Sequence, residues 1–254
     1  MDKKIAFSVM VMIVVAVGAS ASTIDFRTSL WSAGLEAEAA ASSGGLKGTL
    51  IDLDKELGLD NKKDITTYEV RLNFWRRHHL FGAVWDMEYG GENVLERTVN
   101  FSGQQYRISS LVKSKVAIDF SQVGYQLDLV SGKNLSVGVV ADIHLYKVDA
   151  QLEATVPGGT VATKAKLEST AGLVGLDLRA PVFRDDLLLH LRGEGMVYGV
   201  GDELFDFRGE IGWSIAQNVR LIGGYRWMQI KFDEEDFTVD AGVNGPYVGL
   251  QAEF

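Results

Sequence analysis

The chain has 254 residues, with 25 Lys and Arg against 34 Asp and Glu, a formal net charge of −9 and no cysteine. An acidic chain lacks the basic footprint that nucleic-acid binding requires, and a chain without cysteine has no disulfide and no thiolate ligand for a metal. Hydrophobic residues make up 46% of the sequence, with only 3 Pro and as many as 28 Gly, and they alternate along the chain instead of gathering in helical stripes.

Residues 1–21 read as a secretory signal peptide. Lys3 and Lys4 precede an apolar run from Ile5 to Val17, and Ala19-Ser20-Ala21 supplies a small-x-small cleavage site. The run is shorter than the ~20 residues that span a bilayer as a helix. Cleavage after Ala21 leaves one domain, 22–254. It removes Asp2, Lys3 and Lys4, which together carry +1, so the net charge moves from −9 to −10.

From there the recurring signal is alternation with period two, in segments of about ten residues separated by polar turns. The predicted strands are Trp31–Ala41, Thr67–Trp75, Phe81–Tyr89, Ser110–Val130, Leu135–Lys147, Thr170–Ala180, Leu187–Val200, Phe205–Ala216, Val219–Phe232 and Gly245–Phe254. Short turns fall at Arg76–His79, Ser131–Asn134, Pro181–Asp186 and Gln217–Asn218, and the longer connections alternate with them. In the fourth strand the apolar parity changes near Gln122, which predicts a β-bulge there. The first long connection, about 44–65, carries Leu50, Leu53 and Leu57 at helical spacing, with Gly58 placed to end a short helix. Pro157-Gly158-Gly159 reads as a longer loop, and Asp233–Asn244 as an acidic one.

The last stretch puts Val248, Leu250, Ala252 and Phe254 on one face, with no further chain to cover them. Together with the signal peptide and the alternating hairpins, this ending resembles the small outer-membrane β-barrel proteins of Gram-negative bacteria, the OmpA/OmpW-like porin-type barrels. The resemblance covers 22–254 and is architectural. It implies an all-β fold: a closed antiparallel up-and-down transmembrane β-barrel of ten strands, with eight as the alternative. It also implies outer-membrane lipid and the barrel assembly machinery as partners, with Phe254 as part of the assembly signal. Trp31, Tyr68, Trp85, Tyr89, Tyr125, Trp213, Tyr225 and Trp227, with Phe254, are the candidates for its aromatic girdles.

The polar faces of the predicted strands then define the interior. Glu69, Arg71, Asp86, Glu88, Asp142, His144, Asp177, Arg179, His190, Arg192, Glu194, Arg208, Glu210 and Arg226 form an ion-pair network or a pore lining. Glu36, Glu38, Lys113, Lys115, Asp119, Asp206, Arg220 and Glu253 extend it. Narrow barrels are filled by such side chains, and charges there need partners. The expectation is a non-enzymatic barrel with a structural, surface-interaction or small-solute role. Small ions or solutes are its candidate cargo. The competing class is a barrel enzyme acting on lipid or peptide, for which His190 with Glu194, or His144 with Asp142, would supply a base. His78 and His79 are assigned to a turn. No cofactor is expected, and no His/Asp/Glu spacing points to a metal site.

Overall fold

The computed structural model describes residues 23–156, 159–196, 203–234 and 236–254. The expected signal peptide, Pro157 and Gly158, and the end of the Leu187–Val200 strand lie outside the described residues. The strands are β1 Thr23–Ala41, β2 Ile51–Asp52, β3 Lys62–Phe74, β4 His78–Val94, β5 Val99–Phe101, β6 Gln104–Tyr106, β7 Leu111–Ser131, β8 Ser136–Val156, β9 Gly159–Val182, β10 Arg184–Met196, β11 Glu203–Ala216, β12 Val219–Glu234 and β13 Phe237–Glu253. Ten of them, β1, β3, β4 and β7 to β13, pair antiparallel around a ring, and β13 returns to β1 from Asp25↔Glu253 to Ala41↔Phe237. The barrel is closed and ten-stranded, so no strand edge is left open. At the seam the backbones touch: a Cβ on Gly245 would lie 1.9 Å from the Ser32 carbonyl oxygen. Trp31 Nε1 donates to the Gly245 carbonyl at 3.1 Å.

Both ends of the described chain and the turns at 75–77, 132–135, 183 and 217–218 share one end of the barrel. Trp75 and Arg76 there adopt positive φ, 42° and 65°, the left-handed pair that a tight hairpin of matching twist requires. At the opposite end two long connections rise, 42–61 and 95–110. The strands run further toward that end than their sequence predicts. β1 also begins at Thr23, eight residues before the expected start, and Asp233–Asn244 is strand throughout most of its length, not an acidic loop. β8 runs to Val156 and β9 starts at Gly159.

The strands run on because the barrel wall has two zones with opposite polarity. On β8 the outward residues Val137, Val139, Ala141, Ile143 and Leu145 are apolar, and the outward residues Lys147, Asp149, Gln151 and Glu153 are polar. Inward, the order reverses, from Asp142 and His144 to Tyr146, Val148, Ala150 and Leu152. β7 changes the same way, with Gln122, Gln126 and Asp128 inside below and Val112, Val116, Ile118 and Phe120 inside above. Its pairing to β4 and β8 is unbroken across Gln122; the register shifts only between Asp128 and Val130. The bulge expected at Gln122 is absent: what slips is the polarity of the wall, not the backbone.

The outward apolar zone covers nine residues on β8, Val137–Leu145, close to the ~9–11 that cross a bilayer as a tilted strand. Exposed rings border it. Tyr68, Phe205, Tyr225 and Trp227 stand at its upper edge, and Trp75, Tyr125, Phe183, Trp213 and Phe254 at its lower edge. Trp31, Trp85 and Tyr89, expected in the girdles, are instead buried inside the upper barrel. Above the belt the wall stands in water, so apolar side chains turn inward and charges outward. Cross-strand pairs line its outer face, such as Lys166 Nζ to Asp149 at 3.0 Å and Lys115 Nζ to Glu88 at 2.8 Å.

Candidate functional site

The interior divides into three levels. The lowest opens at the end that carries the short turns, as a polar vestibule of about 250 Å³ among Asp25, Arg27, Glu69, Arg71, His190 and Glu210. Its inner wall is a continuous network. His190 sits between two carboxylates, with Nδ1 2.8 Å from Glu210 Oε1 and Nε2 2.7 Å from Asp177 Oδ2. Glu210 also accepts from Arg27 at 2.9 and 3.1 Å and from the Tyr247 hydroxyl at 2.5 Å. Arg179 Nε pairs with Asp177 at 3.0 Å, and Arg208 donates to Glu69 at 2.8 Å. Arg71 donates to Gln126 at 3.0 Å, and Gln126 donates to Asp128 at 2.7 Å and to Asp177 at 3.2 Å. Paired in this way, charges can remain in a space from which bulk water is largely excluded.

The middle level lies where the inner face changes character. Arg226 grips Asp206 with two bonds, at 3.1 and 2.5 Å. Arg192 Nε donates to Glu194, and its terminal nitrogen lies 3.4 Å from Asp142 Oδ2. The same guanidinium lies over the Phe81 ring, 4.0 Å from its centre. His144 is 0% exposed, with Nε2 3.4 Å from Asp142 Oδ2 and 3.8 Å from Glu194 Oε2.

The upper level is apolar. Trp31, Leu35, Trp85, Met87, Tyr89 and Phe120 pack inside it, with Trp85 stacked on Phe120 at 4.5 Å. The two long connections fold over this core as a lid. Leu53 and Leu57 are buried in it, whereas Leu50, expected on the same side, is 48% exposed. The predicted short helix is reduced to turns in which Glu56 N donates to Asp52 O and Gly58 N to Asp54 O, both at 2.9 Å. Gly58 ends them with φ of 62°, as expected of a glycine at that place. Arg97 of the second connection clamps the first. It donates to Glu56 at 2.7 and 2.8 Å and to the Leu50 carbonyl at 2.6 Å. That hydrogen bond holds the Glu56 carboxyl below the usual carboxylate range. A gap of about 50 Å³ is left between the lid and alanine positions such as Ala37 and Ala39.

Of the expected interior residues, Glu69, Arg71, Asp142, His144, Asp177, Arg179, His190, Arg192, Glu194, Arg208, Glu210 and Arg226 point inward and meet in these two polar levels. Asp86 and Glu88 do not. They stand exposed on the outer wall of β4, opposite the buried Trp85 and Met87. Glu36, Glu38, Lys113, Lys115 and Asp119 are outside for the same reason: above the belt, the polar face is the water face. Phe254 lies at the barrel's lower rim, its backbone paired both ways with Ile24 at 2.9 Å. Arg27, Gln122, Gln126, Asp128 and Tyr247 join the interior without having been expected there. His79, expected in a turn, points inward between Asn73 (2.7 Å) and Asp128 (3.1 Å). Position parity from the neighbouring interior residues was the signal available for each.

No protein-family model matches the chain, and no curated protein sequence matches it. Solved structures do. The outer membrane protease OmpT from Escherichia coli superposes with a TM-score of 0.65 at 11% identity, over 92% of this chain and 98% of that one. The translocator domain of the autotransporter NalP from Neisseria meningitidis aligns over 100% and 98% at 13% identity, with a TM-score of 0.44. At such identities the likeness concerns architecture. The fold is that of the bacterial outer-membrane β-barrels, closed by ten antiparallel strands.

Proposed function

We propose that this protein is an integral outer-membrane barrel that does not conduct, is not an enzyme, and works through its raised outer end as a surface-interaction platform. The observation that carries this reading is the filling of the interior at two successive levels. Arginine–carboxylate pairs occupy the bilayer level, and a packed apolar core under a clamped lid occupies the level above. An ion that passed the first level would meet the second without polar partners. The outer wall, with its cross-strand Lys–Glu and Lys–Asp pairs, has the make-up of a soluble surface and lifts the two long connections well clear of the bilayer. Both nitrogens of His190 are held by carboxylates, and His144 is enclosed, which argues against either as a base toward an external substrate.

Single-channel recording on the folded protein in planar bilayers is the test, with a peptide-cleavage assay in parallel because the OmpT barrel is a protease. Silence in both, from protein whose folded state is shown by heat-modifiable migration, supports the platform. Reproducible conductance steps would replace it with a small-solute channel, and turnover of peptide would replace it with an enzyme.

A further inference from the structure

We propose that Asp142, His144 and Glu194 form a binding site for one divalent transition-metal ion, of the zinc or manganese class, buried in the wall at the level where the interior turns apolar. One donor atom from each residue can be chosen so that all three lie within 4.8 Å of one another. The His144 Nε2 distances, 3.4 Å to Asp142 and 3.8 Å to Glu194, match the ~3.4 Å that separates two ligands on a tetrahedral ion with bonds of ~2.1 Å.

The unpartnered atoms point to a cation as their ligand. His144 Nε2 and Asp142 Oδ1 are buried and have no hydrogen-bond partner. His144 Nδ1 stands 3.1 Å from the Tyr146 hydroxyl. With its proton donated there, the Nε2 lone pair faces two carboxylates in a dry site, an arrangement that costs free energy unless a cation lies between them. Arg192 reaches Asp142 Oδ2 at 3.4 Å but makes no bond to His144 Nε2. Its Nε takes the other oxygen of Glu194, Oε1, and leaves Oε2 turned toward His144. Gln122 donates to Asp142 and, at 3.4 Å, to Glu194. Gln122 and Arg192 thus fix both carboxylates, and Asp142 Oδ1 is the carboxylate oxygen without a partner. Nitrogen with two carboxylate oxygens suits zinc, manganese or ferrous iron better than calcium or magnesium, which take oxygen alone.

The fold makes the site by skipping a strand. Asp142 and His144 are on β8 and Glu194 is on β10, with β9 between them. Opposite Glu194 on β9 is Gly175, where a Cβ would come within 2.6 Å of Glu194 Cγ. The missing side chain lets Glu194 lean across β9 toward His144. A bound ion would cross-link two strands that are not neighbours in the sheet.

The test uses the protein extracted from membranes in detergent, stripped with EDTA and re-equilibrated with Zn²⁺ or Mn²⁺ in turn. One equivalent per folded chain by elemental analysis is expected. His144→Ala should weaken retention at least tenfold, and Tyr146→Phe by about 10–100-fold, since it leaves every ligand but frees the ring. No ion on the folded protein, or equal retention by His144→Ala, overturns the site. Should His144→Ala fail to fold, the electron spin-echo spectrum of Mn²⁺ bound to the unaltered protein decides: nitrogen modulation upholds imidazole ligation, and its absence overturns it.

Discussion

Phe120 and Gln122 follow one another on the inner face of β7, in unbroken register, and the boundary between the two interiors passes between them. Outside, the same boundary separates Leu145 from Lys147 on the neighbouring strand. A wall residue is therefore judged by two coordinates, its face and its height. Apolar is correct outside at the height of lipid and inside at the height of water.

Height can be tested with one substitution in each zone of β8. Ala141→Arg, in the middle of the belt, should cost about 2–4 kcal/mol. Gln151→Lys, on the same face above the belt, should stay within about 0.5 kcal/mol. Urea unfolding in lipid vesicles reads both. Equal costs would mean that the belt ends elsewhere.

Glu210 is a hub of the lower network, with Arg27, His190 and Tyr247 all directed at it. Glu210→Ala leaves the buried Arg27 guanidinium, the His190 ring and the Tyr247 hydroxyl each short of a partner and should cost about 3–5 kcal/mol. Replacing Arg27 and Glu210 together by Met and Leu should recover part of that loss, because no charge is then stranded. The same urea titrations supply the comparison.

The lid carries a pH dependence of known sign. Arg97 holds the Glu56 carboxyl below its ordinary value of 4.5. Its contribution is therefore complete above that value and fades as the pH falls through the lowered one. The pair is largely exposed, so the effect is limited to about 0–1 kcal/mol. Amide protection at Leu53–Gly58, relative to the intrinsic exchange rate at each pH, should fall below about pH 4.5, and Arg97→Ala should lower that protection up to about fivefold already at neutral pH. Identical exchange in both proteins would remove Arg97 as the clamp.

The two fillings should seal independently. Exchanging residues 44–60 for a short Gly-Ser turn uncovers the apolar core but leaves the ion-pair levels intact. The expected outcome in planar bilayers is continued silence, together with faster cleavage of the neighbouring connection 95–110 by added protease. Conductance on lid removal alone would show that the lower network is not a barrier.

The sequence by itself determined that strands alternate, where four of the turns fall, and a count of ten with eight as the alternative. Each follows from period two, since a side chain two residues along shares its neighbour's face. Thus Asp142 with His144, and His190 with Arg192 and Glu194, were legible as inward sets from β8 and β10 alone. Alternation does not say which of the two faces is inside. Trp85 with Met87 and Asp86 with Glu88 alternate as cleanly as any pair in the chain, and the reading that placed the acids inside failed because lipid and water demand opposite answers. Height in the membrane is set by how ten tilted strands align, and only the closed barrel has that alignment. Distance across the lumen was equally out of reach. The tertiary structure alone brings Glu194 to His144 across β9, and Arg27 to Glu210 across 183 positions of sequence, because a closed ring puts residues remote in the chain on facing walls a few ångströms apart.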